Sequence, residues 1–294
     1  MRKPSLERAK SRINDYFDSL PSNVYRRPEI YSILYAHKSD WKIAESIRER
    51  QFLNFLIDEL HLTEAKLSFP QRNEIVYIWR KAEVYEVAAT IRSNAFFSHL
   101  TAAKLHGVIS SHNGLIYLNS ELTKLSTSNT SIDQLSIDRT FKNHPRVSNN
   151  FAEFGPNKLY LLYSKNHNGT GLIQHQLSTK LTCLVTDLER TLIDIAVRPF
   201  YAKDPTTVLE IFRNSANKCN ATQLLSYLRS MDFKYPYHQS IGFLAEKAGF
   251  QPQLIAELER IEKPVDFYLT YQIDKPEYSA KWRLFYPANL EKSD

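Results

Sequence analysis

Three acidic side chains, Asp187, Glu189 and Asp194, lie close together in one apolar stretch of the sequence. Grouped carboxylates can hold Mg²⁺ and support nuclease or nucleotidyl-transfer chemistry. A structural role is also open to them. Thr186 and Glu189 match a capping box at a helix start. Asp187 lies where the helix dipole favours an anion, and Arg190 can pair with Asp194 one turn later. We predict the structural role and no catalytic residue, with a metal-dependent nuclease or nucleotidyltransferase as the alternative.

The nine histidines and two cysteines raise the question of a metal site. His99 and His106 are seven residues apart and share a predicted helix face, but neither has a carboxylate three or four residues away, and no H-E-x-x-H motif is present. His238 lies among aromatic residues at a predicted helix start, where a packed imidazole is the commoner outcome. Cys183 and Cys219 form no C-x-x-C pair. Glycine occurs only 7 times, and neither a G-x-G-x-x-G nor a P-loop motif is present, so nucleotide binding through these motifs is not expected. From the histidine, cysteine and glycine patterns together we predict no metal and no cofactor.

Arginine and amide side chains follow the polar side of a helix that we predict from about residue 44 to residue 60. Apolar residues repeat at i and i+4 along its other side and predict a buried stripe. The polar side carries four hydrogen-bonding residues, Arg48, Arg50, Gln51 and Asn54. In the DNA major groove, Arg makes paired hydrogen bonds to guanine, and Asn or Gln makes them to adenine. The pattern therefore indicates a helix that binds base edges, although any exposed helix also needs a polar side.

Five further cations flank this helix in the sequence and are placed to contact DNA phosphates. They are Arg26, Arg27, Lys42, Lys66 and Arg72. The net charge of +6 is unevenly distributed, because residues 1–80 carry +3, residues 81–180 carry +4 and residues 181–294 carry −1. The excess over the first 180 residues favours a polyanionic partner. A basic surface that binds an acidic protein would show the same excess.

The elements that must position these residues have the order of a winged helix-turn-helix. Helical periodicity predicts helices over residues 5–20, 27–37 and 44–60. Two β-rich runs at 62–69 and 74–79 flank a short polar turn, which is typical of a hairpin. Three helices followed by a hairpin place one helix beside a β-ribbon, and both of these elements fit DNA grooves.

The rest of the chain predicts a second, larger domain. Strands are expected near residues 115–119, 158–163, 172–176 and 181–185, with further strands in the aromatic tail, and helices near 84–91, 96–106, 187–197, 205–214, 221–231 and 237–248. Residues 120–130 are rich in Ser, Thr and Asn and predict an exposed loop. The predicted fold class is therefore α+β, with a winged helix-turn-helix domain over residues 1–85 and a mixed α/β domain over residues 86–294.

The composition is that of a folded protein, because 43% of the 294 residues are hydrophobic and this is enough for a sizeable core. The first twenty residues mix charged and apolar side chains and are typical of neither a signal peptide nor a membrane span. We therefore expect a cytoplasmic protein.

Several short stretches from the middle of the chain to its end resemble the AbiEi family of antitoxins from type IV toxin-antitoxin systems. They follow the family's order along residues 97–103 (FSHLTAA), 105–107 (LHG), 116–119 (IYLN), 146–149 (RVSN), 186–194 (TDLERTLID), 197–199 (VRP), 235–239 (YPYHQ), 241–243 (IGF), 266–269 (DFYL) and 282–287 (WRLFYP). The N-terminal third resembles the family in its layout of elements rather than in its motifs.

The resemblance implies a transcriptional repressor of a phage-defence locus. Its N-terminal winged helix would bind inverted repeats in double-stranded DNA at its own promoter, and its C-terminal domain would counteract a nucleotidyltransferase toxin. The family carries no catalytic residues over to this sequence. Three hypotheses thus remain: an autoregulatory antitoxin, a DNA-targeted enzyme that uses Asp187, Glu189 and Asp194, and a protein-binding module with a basic surface.

Overall fold

The computed structural model describes residues 4–110, 114–122, 132–178 and 181–291. The fold is α+β, as the sequence predicts, with many helices and both parallel and antiparallel strand pairs. Among the described residues, no helix combines the length and the apolar character that crossing a membrane requires.

Contacts within the chain divide it into two compact units. The first unit comprises Met1–Ala95, Asn150–Tyr160 and His175–Cys183. The second unit comprises Phe96–Asn149, Leu161–Gln174 and Leu184–Asp294. The first unit therefore extends ten residues past the boundary predicted at residue 85 and includes two later segments of the chain, whereas the sequence predicted a division at a single point.

The helices, in chain order, are α1 (Ser5–Ser19), α2 (Arg27–His37), α3 (Glu49–Leu60), α4 (Val84–Ile91), α5 (His99–Leu105), α6 (Gln134–Lys142), α7 (Leu188–Val197), α8 (Pro205–Ser215), α9 (Ala221–Ser230), α10 (Tyr237–Lys247) and α11 (Pro252–Arg260). The strands are β1 (Val24–Tyr25), β2 (Thr63–Ser68), β3 (Asn73–Ile78), β4 (Phe96–Phe97), β5 (Leu115–Leu122), β6 (Phe151–Phe154), β7 (Asn157–Lys165), β8 (Leu172–Gln176), β9 (Thr182–Thr186), β10 (Phe267–Tyr268), β11 (Pro276–Ser279) and β12 (Leu284–Pro287). A short 3-10 helix, Pro199–Ala202, follows α7.

The core of the first unit is formed by one face of each of its first three helices. On α1 the buried residues are Leu6, Ala9, Ile13 and Phe17, a spacing of three or four residues that keeps them on one side of the helix. The Phe17 ring stacks on the ring of Trp79, with 4.9 Å between centroids. This packing ties α1 to the end of the hairpin strand β3.

The three strands of the first unit form an antiparallel sheet in the order β1-β3-β2. The β2–β3 hairpin closes at Phe69 and Arg72, whose backbone groups exchange hydrogen bonds of 3.0 and 3.3 Å. The unit thus contains the predicted order of three helices followed by a hairpin. Strand β1 was not predicted, because two residues are too few to show a period of two.

Among the described residues, the sheet with the most strands is mixed and has the order β6-β7-β5-β4-β9-β8. Strand β4 is parallel to β9 and antiparallel to β5. Another three-stranded sheet, in the order β10-β12-β11, lies within the second unit. There Gly242 of α10 lies so close to the buried Trp282 ring that a Cβ at this position would overlap it.

Some helices begin and end where the sequence predicted, whereas one helix and one loop differ from their predicted limits. The helices at 27–37, 205–214 and 221–231 end within one residue of their predicted limits. The prediction of a helix over 96–106 is wrong in its first turn, because Phe96 and Phe97 form β4 and the helix begins at His99. The loop predicted at 120–130 begins later, since β5 continues to Leu122. Residues 123–130 lie outside the described part of the chain.

Candidate nucleic-acid interface

Helix α3 begins at Glu49, five residues later than the start predicted at residue 44. The preceding segment is held by the buried ammonium group of Lys38, which donates to the backbone oxygens of Glu45 at 2.9 Å and Ile47 at 3.0 Å. The first turn of α3 is closed by the Phe52 backbone N–H, which donates to the Arg48 oxygen at 3.1 Å. The connection between α2 and α3 spans residues 38–48, which is longer than the 38–43 left between the two predicted helices.

The polar side of α3 faces outward. Arg50, Gln51 and Asn54 are exposed, whereas Phe52 and Leu56 on the opposite side are fully buried. The helix thus presents hydrogen-bonding groups along one open face while its apolar stripe packs into the core. This arrangement agrees with the exposed face that the DNA-binding hypothesis needs.

The first turn of α3 restricts what Gln51 can bind. Arg48 is the extended residue just before the helix, and its backbone N–H donates to Oε1 of Gln51 at 2.9 Å. This is one half of a capping box, and it occupies the amide oxygen. Paired bonding to adenine needs both the oxygen and the nitrogen of the amide. In this conformation the amide oxygen of Gln51 is turned toward the Arg48 backbone, and the base-contacting role of Gln51 stays a prediction.

The two arginines at the start of α2 already have partners within the first unit. Arg26 forms an ion pair with Glu29 at 3.0 Å. Arg27 donates to the hydroxyl of Tyr77 on β3 at 2.8 and 3.1 Å and lies 5.9 Å above the Tyr77 ring. These bonds place the start of α2 against the hairpin. Both side chains stay at the surface, so a phosphate could replace part of this bonding.

The remaining predicted cations differ in whether a carboxylate already neutralises them. Arg72 lies in the hairpin turn and pairs with Glu74. Lys66 is exposed on β2, and Lys42 is exposed in the connection between α2 and α3 with a left-handed backbone at φ 56°. Of the predicted DNA-binding cations, five form no ion pair with any residue that the structure describes: Arg27, which bonds only to the Tyr77 hydroxyl, and Lys42, Arg48, Arg50 and Lys66.

The predicted alternative site at Asp187 and Glu189 is occupied by structural hydrogen bonds. Asp187 caps α7, with its Oδ1 accepting from the Arg190 backbone N–H at 2.8 Å. Its other oxygen accepts from the Tyr227 hydroxyl at 2.7 Å. Glu189 accepts from the Asn220 backbone N–H at 2.6 Å. The predicted cap is thus one residue off, because Asp187 rather than Thr186 occupies it.

Arg190 lies in the interior of the second unit, with a side chain only 1% exposed. As predicted, it pairs with Asp194, and the Nε–Oδ1 distance is 2.9 Å. It also approaches Glu121 at 3.5 Å and donates to the Thr170 backbone oxygen at 2.8 Å. Burial raises the pKa of Asp194, and the adjacent guanidinium opposes that shift. Within the described residues, no set of three His, Cys, Asp or Glu side chains is placed to hold a metal ion.

The two histidines considered as metal ligands bond to different groups. The buried His99 ring accepts or donates at 2.8 Å to the Ser98 hydroxyl, and burial together with Arg198 and Arg190 lowers its pKa well below the ordinary value. The His106 ring lies 2.7 Å from the backbone oxygen of Thr186. Each imidazole is therefore held by its own protein partner, which accounts for both histidines as structural residues.

Sequence reasoning missed the residues that fix α3 relative to its neighbours. Lys38 holds the connection before α3, and the Tyr35 hydroxyl of α2 donates to the carboxylate of Glu49 at the start of α3. Tyr77 receives Arg27 from α2. None of these contacts follows a helical or strand period, so no local pattern in the sequence identifies them.

Comparisons with known proteins show the fold and no family. No protein-family model matches the chain. No curated protein matches it either. Among solved structures, the crystal structure of the RV2827C protein from Mycobacterium tuberculosis is similar over 97% of this chain and 92% of that one, with a TM-score of 0.59 and 13% sequence identity. At this identity the likeness shows a shared fold alone.

Proposed function

We propose that this protein is a sequence-specific DNA-binding repressor that acts as an autoregulatory antitoxin in the cytoplasm. Its first unit would form a winged helix-turn-helix and bind inverted repeats in the promoter. Its second unit would counteract a nucleotidyltransferase toxin, directly or indirectly. The observation that carries the DNA-binding part is the open face of α3, where Arg50, Gln51 and Asn54 are exposed and Arg50 has no carboxylate partner among the described residues.

The physical support is the match between this face and a DNA groove. An α-helix fits the major groove, and Arg and Asn carry the donors and acceptors that base edges recognise. Lys42 and Lys66, which lie before α3 and on the hairpin strand β2, offer unpaired charge to phosphates. The length of the α2–α3 connection does not change the exposure of α3 itself.

The antitoxin part of the proposal is supported by the motif resemblance over residues 97–287. A catalytic function has less support, because Asp187, Glu189 and Asp194 each bond to protein groups rather than converge on an open site. We therefore propose a binding role rather than an enzymatic one.

The proposal is tested with a variant that removes the central part of the α3 face, Arg50→Ala combined with Asn54→Ala. Each lost base contact is expected to cost about 1–3 kcal/mol, or about 5- to 150-fold in affinity for the promoter DNA. Binding is measured by footprinting and titration on the upstream promoter, and toxin rescue by co-expression with the neighbouring toxin gene. Rescue should stay intact, because both changes lie in the first unit.

The matched control is Lys81→Ala, which removes an exposed cation from the same unit without touching α3. It should bind the promoter nearly as well as the parent protein. Undiminished promoter binding by the double variant would show that α3 does not contact the bases.

A further inference from the structure

The exposed first half of α3 carries hydrogen-bond donors in excess of acceptors. Arg48 and Arg50 each present a guanidinium, which has five N–H donors and no acceptor. The amide oxygen of Gln51 accepts the capping bond from the Arg48 backbone N–H, so its NH₂ group is the part of the amide that this bond leaves free. Asn54 is the other exposed amide on this face, and it can both donate and accept hydrogen bonds there.

The acidic side chains of α3 are either engaged or placed at its other end. Glu49 accepts from the Tyr35 hydroxyl. Glu59 pairs with Lys10 at 2.8 Å. Asp58 is exposed, but it lies ten residues after Arg48, roughly 15 Å along the axis at 1.5 Å per residue. The positive end of the helix dipole adds to the cations at the N-terminal end, whereas the negative end adds to Asp58. The N-terminal end is therefore the end that a polyanion attracts.

We infer that the first two turns of α3 read guanine, which rests on the proposed DNA-binding function. In the major groove, guanine presents two acceptors, N7 and O6, whereas adenine presents one acceptor and one donor and cytosine presents a donor. Thymine presents one acceptor beside a methyl group, so guanine is the base edge whose two acceptors a guanidinium can bond at once. Asn54 is the one side chain of this set that also suits adenine. The bound half-site thus contains guanines opposite Arg48, Arg50 and Gln51.

The capping bond gives a variant that reverses one donor without disturbing the helix. In Gln51→Glu a carboxylate oxygen can still accept from the Arg48 backbone N–H, since Glu is as good as Gln at this position of a capping box. The outward group then changes from a donor to an acceptor. Glu accepts from the amino group of cytosine, so the preferred base at that position should change from guanine to cytosine. Asp58→Asn is the matched control at the far end of the helix and should leave the base preference unchanged.

The experiment selects bound duplexes from a randomised DNA library with the full chain and with both variants. Selected duplexes are then made with 7-deazaguanine, which lacks the N7 acceptor, and affinity is measured by titration. We expect guanines in the selected half-site, a loss of about 5-fold or more on 7-deazaguanine substitution, and the guanine-to-cytosine change for Gln51→Glu.

Two different failures are distinguishable. Selection of a defined sequence that tolerates 7-deazaguanine, with an unchanged preference in Gln51→Glu, overturns the guanine inference and leaves the DNA-binding function standing. Failure to enrich any sequence overturns the proposed function and the inference together.

Discussion

Arg190 is charged in an interior where it has almost no access to water. Its guanidinium is satisfied by Asp194, Glu121 and the Thr170 carbonyl, and these bonds offset the cost of removing the charge from solvent. The carboxylates of Asp194 and Glu121 in turn depend on the Arg190 guanidinium for charge compensation. Oδ2 of Asp194 has no hydrogen-bond partner among the described residues, so Arg190 supplies the only ion pair available to that side chain there.

Replacement of Arg190 by Met should destabilise the protein strongly, since it leaves the buried Asp194 and the largely buried Glu121 without their cation. The expected loss is about 3–5 kcal/mol in the free energy of unfolding, measured by urea titration. Arg139→Met, at an exposed position of α6, is the control and should change stability by less than about 0.5 kcal/mol. A loss below about 1 kcal/mol for Arg190→Met would contradict a structural role for the buried pair.

Buried and half-buried histidines of the second unit, His99 among them, should make stability depend on pH. Burial lowers the pKa of His238 to about 4, and burial with Arg190 nearby does the same for His167, from ordinary values of 6.5. The unfolded chain therefore binds protons below about pH 6.5 that the folded protein takes up only near pH 4. We expect the free energy of unfolding to fall as pH drops from about 6.5 to about 4, and His238→Gln to reduce that fall. His144→Gln, at an exposed position, should leave the pH curve unchanged.

At the residue scale, the sequence predicts contacts that lie within one turn of helix. The Arg190–Asp194 pair is confirmed because four residues separate its members on α7. The predicted cap at Thr186 is wrong because that hydroxyl bonds to the Thr191 hydroxyl at 2.8 Å, leaving the cap to Asp187. The capping bond of Gln51 could have been found from its spacing to Arg48, since a capping box places Glu or Gln three residues after the cap.

At the scale of elements, the connection before α3 shows where periodicity gives no guidance. The apolar residues that repeat at i and i+4 begin at Phe52, so the predicted start near residue 44 had no periodic residue to fix it. The observed start at Glu49 depends on Lys38, whose ammonium group bonds two carbonyls of the connection. A lysine in a polar segment carries no signal that it will be buried, so the sequence could not place the helix start.

Lys38→Met tests this control of the α3 start. The change leaves the carbonyls of Glu45 and Ile47 without their donor, and we expect a loss of about 1–3 kcal/mol in unfolding free energy. Hydrogen exchange should quicken in residues 43–49 more than in α1. Lys42→Met is the matched control, because Lys42 is exposed and forms no ion pair with the described residues. Equal exchange in the two variants would show that Lys38 does not hold the connection.

Short strands were the other elements that could not be predicted from the sequence. Strand β1 has two residues and β11 has four with a proline at its start, so neither provides enough alternation to detect. Long amphipathic helices such as α2 and α8 show several turns of apolar spacing and were predicted nearly to the residue. The difference lies in how many periods each element contains.

On the scale of the whole molecule, the uneven charge should appear in the salt dependence of DNA binding. If the proposed DNA binding holds, Lys42→Ala and Lys66→Ala should each lower the slope of log affinity against log salt by about 1, because each removes an unpaired cation from a proposed phosphate contact. Arg26→Ala and Arg72→Ala should lower it less, since these side chains are already paired with Glu29 and Glu74. The slopes are measured by titration at several salt concentrations. Equal slopes in all four variants would contradict the assignment of Lys42 and Lys66 to phosphates.

The first unit is assembled from three separate stretches of chain, and one of its later stretches supplies β6, which lies beside the hairpin strand β2. A gene crossover near residue 95 would transfer the helices and the hairpin but leave β6 behind. Evolution therefore cannot graft this unit onto another protein by one recombination event without losing a neighbour of β2. We expect related proteins to inherit both units as a single block.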